Sequence, residues 1–486
     1  MTMHRWLTRI CLVLTFCVVT ARISGGQTLT TLVTFEGTAS DPHASLVQGT
    51  DGNFYGTTVT GGNTSCNPPL GCGTAFRVTQ TGDLTILHRF CAQTNCGDGS
   101  GPLGGLVLGT DKNFYGTTFS GGAHNCTGSI ECGGSVFEIT SQGAFKTLYS
   151  FCSQTSCADG EFPYAELLIA SSGNLYGTTS AGGAHGDGTI FKITPQGRLT
   201  TLYSFCTETS CRDGADPIGG LVRGTDGNLY GTTYGGGAYG YGTVFKLAPS
   251  GTLTTLYSFD STDGANPTAS LIQASNGRFY GSTLWGGTVL DVCPFGCGTL
   301  FGMSSNGTLA TLESFDWSNG YEPSSAFVQA TDNNLYATTT QGIGSGTIFK
   351  ITLRGSLTLL YVFNGATDGG LPFGGLIQAT NGTFYGTTAG GGAGSAGTVY
   401  SLDAGLGPFI TFVLSTGKVG GTAQILGQGL TGATSATFNG VPATGFTAVS
   451  DTYMTAVVPS GATSGKVVVT TPSGTLTSNV NFRITK

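Results

Sequence analysis

One phrase, Tyr-Gly-Thr-Thr or a near copy of it, returns seven times along the chain, at Tyr55, Tyr115, Tyr176, Tyr230, Tyr280, Tyr336 and Tyr385. The steps between copies are 60, 61, 54, 50, 56 and 49 residues. A period near 50 with this many copies means one supersecondary unit used repeatedly, and it constrains the fold more than any other feature. The copy around Tyr230 shows the unit. Pro217 to Gly224 is a short apolar run, and 225–228 a turn. Leu229 to Thr233 is a run of β-formers, 235–242 a Gly-rich loop, and Thr243 to Leu247 a third run. After the turn 249–251 comes a fourth run, Leu253 to Phe259. Four short runs joined by turns predict an antiparallel meander of strands a, b, c and d. Leu253 and Leu256 are three apart, so they face opposite sides of strand d, as in a sheet buried on both faces.

The order of the runs suggests how the array ends. Strand d recurs near Leu29, Leu84, Phe145, Leu199, Leu253, Leu309 and Leu357, and strand c ends near Phe76, Phe137, Phe191, Phe245, Phe301, Phe349 and Tyr400. The array therefore opens with an unattached d strand, Leu29 to Phe35, and closes with a c strand, Thr398 to Leu402, that lacks its d partner. Pairing these two repairs both defects and leaves no open edge. The expected fold is all-β: a seven-bladed β-propeller over 28–402, closed by the N-terminal strand.

Composition agrees with a folded, exported chain. Gly makes up 83 of 486 residues without a Gly-X-Y period, which excludes collagen. Charged residues are only 9%, the net charge is −7, and no Lys/Arg cluster marks a nucleic-acid surface. Arg5 and Arg9 precede an apolar run, Ile10 to Val19, followed by Thr20-Ala21. Residues 1–21 read as a signal peptide, with cleavage as late as 26 an alternative. No second apolar run is long enough to span a membrane. Beyond residue 21 the cysteines fall into six close pairs: Cys66/Cys72, Cys91/Cys96, Cys126/Cys132, Cys152/Cys157, Cys206/Cys211 and Cys293/Cys297. Behind an export signal these predict disulfides. The competing metal reading lacks any Cys-x-x-Cys spacing or matched His, and no metal or cofactor is expected.

In a meander, the b–c and d–a loops emerge on one face and the short a–b and c–d turns on the other. All six cysteine pairs, and most length variation, belong to the first set, which makes that loop face the candidate functional surface. Trp285, Phe295, Trp317, Tyr321, Tyr239, Tyr241 and Tyr164 map to it and offer flat rings to a carbohydrate or protein ligand; loops that drift for want of constraint are the plainer alternative. The seven phrase tyrosines are expected to pack between units with their hydroxyls bonded. The Asp-Gly pairs at Asp98, Asp159, Asp213, Asp263 and Asp368 read as turns, and so does Asp-Gly-Asn before strand b, which lacks the further carboxylates of a calcium loop. Acids that break the repeat, among them Glu131, Glu138, Glu166, Asp187 and Asp291, show no spacing that demands a shared catalytic site. Serine elbows and P-loops are absent.

After a linker at 403–407 the texture changes. The segments Ile425-Leu-Gly-Gln-Gly-Leu430, Ala436-Thr-Phe-Asn-Gly-Val-Pro-Ala443 and Ser450-Asp-Thr-Tyr-Met-Thr-Ala-Val-Val-Pro459 resemble the IPT/TIG family, which implies an immunoglobulin-like interaction or spacer domain over 408–486. The array, with Asp-Gly-Asn-Phe-Tyr-Gly-Thr-Thr at 51–58 and Gly-Thr-Ile-Phe-Lys at 188–192, resembles the bacterial GloVer tandem repeat. That resemblance implies an exported protein and brings no catalytic residues. The function expected is non-catalytic binding or adhesion outside the cell. A polysaccharide hydrolase or lyase and a structural matrix component are the alternatives.

Overall fold

A computed structural model of the chain describes residues 27–37, 39–124 and 133–485. The expected signal segment lies outside them. The described residues from Thr28 to Asp403 form seven four-stranded antiparallel sheets, giving an all-β, propeller-like array of repeated units. We number the units 1 to 7 by residues 42–90, 102–151, 163–205, 217–259, 267–315, 323–363 and 372–403. In unit 4 strands a to d are Val222–Arg223, Leu229–Thr233, Thr243–Leu247 and Leu253–Ser258. Unit 7 has strands a to c at Ile377–Gln378, Phe384–Thr388 and Thr398–Asp403. Its fourth strand is Thr28–Thr34, paired antiparallel to Thr398–Asp403 in the register Thr28 opposite Asp403 to Thr34 opposite Thr398. A register slip near the middle of this pair matches the slip in the other c–d pairs, for example between Val244 and Phe245. Such bulges tighten the twist of each sheet.

The recurrent phrase is explained residue by residue. The tyrosine hydroxyl reaches back four residues to the a–b turn: Tyr55 donates to Asp51 at 2.8 Å, Tyr230 to Asp226 at 2.7 Å and Tyr336 to Asp332 at 2.9 Å. The Asp-Gly-Asn turn thus spends its carboxylate within itself, since Asp226 also accepts from the Asn228 N–H and amide. Glycine follows because the strand c phenylalanine lies flat on it. A Cβ on Gly231 would sit 2.6 Å from the Phe245 ring, closer than real Cβ contacts allow. The first threonine bonds the next unit, as Thr178 does to the Gly219 carbonyl at 3.1 Å. The second is buried against strand c, as Thr233 is to the Thr243 hydroxyl at 2.8 Å. Buried hydroxyls are tolerated here because nearly all find a partner, the Ser282 hydroxyl at the first-threonine position of unit 5 being an exception.

The joins between units also repeat, and the join of unit 7 to unit 1 has the same parts as the internal ones. Phe205, ending strand d of unit 3, stands edge-on to Phe245 of unit 4 with centroids 5.3 Å apart; Phe35 stands likewise to Phe76 of unit 1 at 5.3 Å. Tyr230 stacks on Phe279 at 4.1 Å, and Tyr385 packs on Phe54 at 4.0 Å. Gln273 accepts the Thr225 N–H of the preceding unit at 2.8 Å, and Gln48 accepts that of Thr380 at 3.1 Å. Thr387 donates to the Ala44 carbonyl at 3.0 Å, as Thr178 does to Gly219.

Residues 409–485 form two four-stranded sheets sharing one core, with Ile425 and Met454 from one sheet and Phe438, Val467 and Val469 from the other. This module docks on the turn face. Leu426 and Tyr453 join a cluster with Tyr55, Leu108 and Phe114. Thr380 of unit 7 donates to the Gly427 carbonyl at 3.1 Å, Thr452 donates to Thr50 O of unit 1 at 2.8 Å, and Gln424 donates to Thr110 O of unit 2 at 2.8 Å. The Lys112 ammonium lies 4.7 Å from the Tyr453 ring centre. The module therefore touches turns on both sides of the join between units 7 and 1.

Candidate functional site

With the C-terminal module on the turn face, the loop face is the surface left to consider. Its loops are braced from within. The d–a loop of unit 3 is closed by Cys206–Cys211 and organised around Asp213, which is 1% exposed. Its carboxylate accepts the Tyr203 hydroxyl at 2.8 Å, the Thr207 hydroxyl at 2.9 Å, and the N–H groups of Thr207 and Glu208 at 3.0 and 3.2 Å. Burial alone would raise this carboxyl, but these hydrogen bonds outweigh it and hold it below the usual range. Tyr149–Asp159, Tyr257–Asp263 and Tyr361–Asp368 repeat the arrangement, and His88–Asp98 replaces the tyrosine by an imidazole. These aspartates follow strand d as expected, yet they are more than turn residues: each anchors its loop to strand d, and Asp98, Asp159, Asp213 and Asp368 are buried while Asp263 is half-buried. Disulfides also form at Cys66–Cys72, Cys91–Cys96, Cys152–Cys157 and Cys293–Cys297, whereas Cys126 and Cys132 lie outside the described residues.

The rings singled out in the sequence separate into several places. Trp285 sits 6.3 Å from Phe295 and 6.4 Å from Tyr234. Tyr321 lies 5.3 Å from Trp317. Three rings thus group on the b–c loops of units 4 and 5, and two more on the loop that joins units 5 and 6. Phe295 is 78% exposed and Trp317 44%, while Trp285 and Tyr321 are half-buried supports beneath them. Trp317 walls a depression of ≈ 330 Å³ whose other walls are Gln341, Ser345 and the backbone of Gly342, Gly344, Gly370 and Gly391. Tyr239 and Tyr241 stand apart on the b–c loop of unit 4, 63% and 41% exposed.

Tyr164 belongs to another of these places. Seven Pro-x-small segments, each beginning its unit, converge on one shared cavity of ≈ 220 Å³, with His43, Leu103, Tyr164, Ile218, Thr268, Ser324 and Phe373 contributed one per unit. Tyr164 packs edge-on to Phe119 at 6.1 Å, and His43 stacks on Phe373 at 4.5 Å while bonding Asp41 at 2.8 Å. Glu166 is the one carboxylate lining this cavity; burial pushes its carboxyl above the usual range. Sequence reasoning saw that Glu166 breaks the repeat, but not that it lines this cavity. The Glu138 carboxylate accepts the Asn113 amide at 2.6 Å and so serves a turn. Asp187 and Asp216 lie side by side through the Asp216 N–H to Asp187 carbonyl bond of 3.0 Å; partial burial, then the Asp187 charge, raises the Asp216 carboxyl.

No helix among the described residues is long and apolar enough to cross a membrane. None of the curated proteins matches the chain. Solved structures similar to it include a fungal alcohol oxidase in complex with copper, 13% identical, with 93% of this chain and 98% of that one covered at a TM-score of 0.48. A gluconolactonase from Xanthomonas campestris is 13% identical, with 71% and 93% covered at a TM-score of 0.39. Likeness at this level carries no argument about chemistry. The Gloeobacter/Verrucomicrobia repeat matches four overlapping stretches, 18–210, 64–291, 127–343 and 287–449. Those stretches take in nearly the whole array, and the chain belongs to the Gloeobacter/Verrucomicrobia repeat family.

Proposed function

We propose that this chain is an extracellular carbohydrate-binding protein: a closed seven-bladed β-propeller that engages its ligand through the loop face and carries an IPT/TIG immunoglobulin-like module on the other. The closed ring is supported by the match between the unit 7 to unit 1 join and the internal joins. Extracellular residence is supported by the disulfides and by the repeat family. The observation that carries the binding reading is the exposed Trp317 ring, propped by Tyr321, beside a depression walled by glycine backbone. A flat apolar ring next to unhindered peptide groups suits a pyranose, which stacks one face and hydrogen-bonds around its edge.

A glycan array tests this with the mature chain and with Trp317→Ala and Trp285→Ala. Loss of a specific glycan signal in Trp317→Ala, with an unchanged melting temperature, supports the reading. No glycan signal in the wild type refutes it. Turnover of a polysaccharide, abolished by Asp216→Asn, would replace it with the hydrolase or lyase alternative, for which the Asp187–Asp216 neighbourhood is the supporting observation.

A further inference from the structure

On the turn face one junction departs from the others. In six units an Asp or Asn four residues before the phrase tyrosine bonds its hydroxyl: Asp51, Asp111, Asp226, Asn276, Asp332 and Asn381. In unit 3 that position is Ser172, and no hydrogen bond reaches the Tyr176 hydroxyl among the described residues. The neighbouring unit adds a second departure. The residue receiving the tyrosine ring is Phe114, Phe279, Phe384 or Phe54 at four junctions, but Leu229 beneath Tyr176. Leu175 and Leu335 receive Tyr115 and Tyr280, whose hydroxyls are nonetheless held. Only between units 3 and 4 do a smaller floor and an unanchored tyrosine coincide.

A cleft of ≈ 150 Å³ opens there. Its floor is apolar, made by Leu168, Leu202, Leu229 and Leu247. Its polar lining is Tyr176 and two cations, Lys192 and Arg223. Neither cation has a carboxylate within salt-bridge distance among the described residues. The closest acid in sequence, Asp226, has its oxygens taken by Asn228 and Tyr230. The cleft lies away from the turns of units 7, 1 and 2 that the C-terminal module touches.

We propose that this cleft binds a small aromatic carboxylate. An apolar cavity of about 150 Å³ accepts a benzene ring. Two unpaired cations and a phenol hydroxyl supply the donors that a carboxylate at the cleft mouth needs. Binding here is independent of the loop-face site.

Titration of the mature chain with benzoate, followed by ligand-observed NMR and calorimetry, tests it against neutral benzyl alcohol. Benzoate is expected to bind one site about tenfold more tightly than benzyl alcohol, a difference of about 1.4 kcal/mol. Arg223→Gln and Lys192→Gln each weaken benzoate several-fold and leave benzyl alcohol unchanged. Leu229→Phe places in the floor the residue found at four other junctions. It abolishes binding while the melting temperature holds or rises, which separates a filled cleft from a misfolded one. Equal affinity for the two probes, no benzoate binding, or full binding by a folded Leu229→Phe variant overturns the proposal.

Discussion

Replacing Phe35 by alanine is the sharpest test of the join between the two ends of the array. Phe35 is 1% exposed and packs in one cluster with Val33, Leu46, Phe54, Phe76 and Val399. Its N–H bonds the Gly397 carbonyl at 2.9 Å, and alanine keeps that bond, so the ring alone is lost. Withdrawing a buried Phe from an apolar site forfeits about 1.5–3 kcal/mol of transfer free energy. The edge-on pair with Phe76 adds about 0.5–1.5 kcal/mol, and the unfilled space brings the expected total to about 3–5 kcal/mol. Phe205→Ala, at an internal join of the same 5.3 Å geometry, supplies the reference. The two substitutions should shift the urea midpoint alike. Hydrogen exchange of the Thr398–Asp403 amides, which pair with Thr28–Thr34, should stay as slow in the wild type as exchange of the equivalent Thr243–Leu247 amides. A cost below about 1 kcal/mol for Phe35→Ala, beside the full cost for Phe205→Ala, would refute the equivalence of the joins. So would fast exchange confined to the unit 7 sheet.

The other predictions concern the loops and the docked module. The Asp213 carboxyl is held low in the folded chain, so its contribution to stability is present above the unfolded value near about 3.9 and is lost as pH falls through the folded value. Asp213→Asn should therefore lower the urea midpoint at neutral pH and flatten its fall in acid; an unchanged acid limb would contradict this. Cys152→Ser with Cys157→Ser removes a bridge closing a short loop, worth about 2 kcal/mol in the chain-entropy account, and should lower the melting temperature of the oxidised chain only. In dithiothreitol, which reduces all the disulfides, the wild type and that variant should melt alike. Truncation after residue 407 uncovers Val47, Tyr55 and Leu108 and should raise binding of a hydrophobic dye without abolishing the β-sheet circular dichroism signal.

The repeated sheets were legible because each position in Tyr-Gly-Thr-Thr answers a local demand, and a local demand leaves a local mark. The offset between Leu29–Phe35 and Thr398–Leu402 was readable as a count of runs, and these segments are paired. The aspartate anchors were half legible. Asp213 stands 10 residues after Tyr203 and Asp263 only 6 after Tyr257, so the partnership does not announce itself as a fixed spacing. The docking of the C-terminal module left no mark, because Gln424, Gly427, Thr452 and Tyr453 meet groups that belong to three different turns. The place of Glu166 in the shared cavity was hidden for a similar reason: it follows from seven segments meeting, not from any one of them.

The pairing of Thr28–Thr34 with Thr398–Asp403 fixes an order of events in time. These strands are about 370 residues apart, whereas strands c and d of unit 1 close over a five-residue turn. Six doublings of span cost roughly 4 kcal/mol of chain entropy, so this pair is the slowest to find itself. A ribosome must deliver the last strand before the first one has anywhere to go. Until then both ends present raw edges open to other chains. The C-terminal module is made last of all and rests on units 7, 1 and 2 together. Its seating draws on turns from both ends of the array at once.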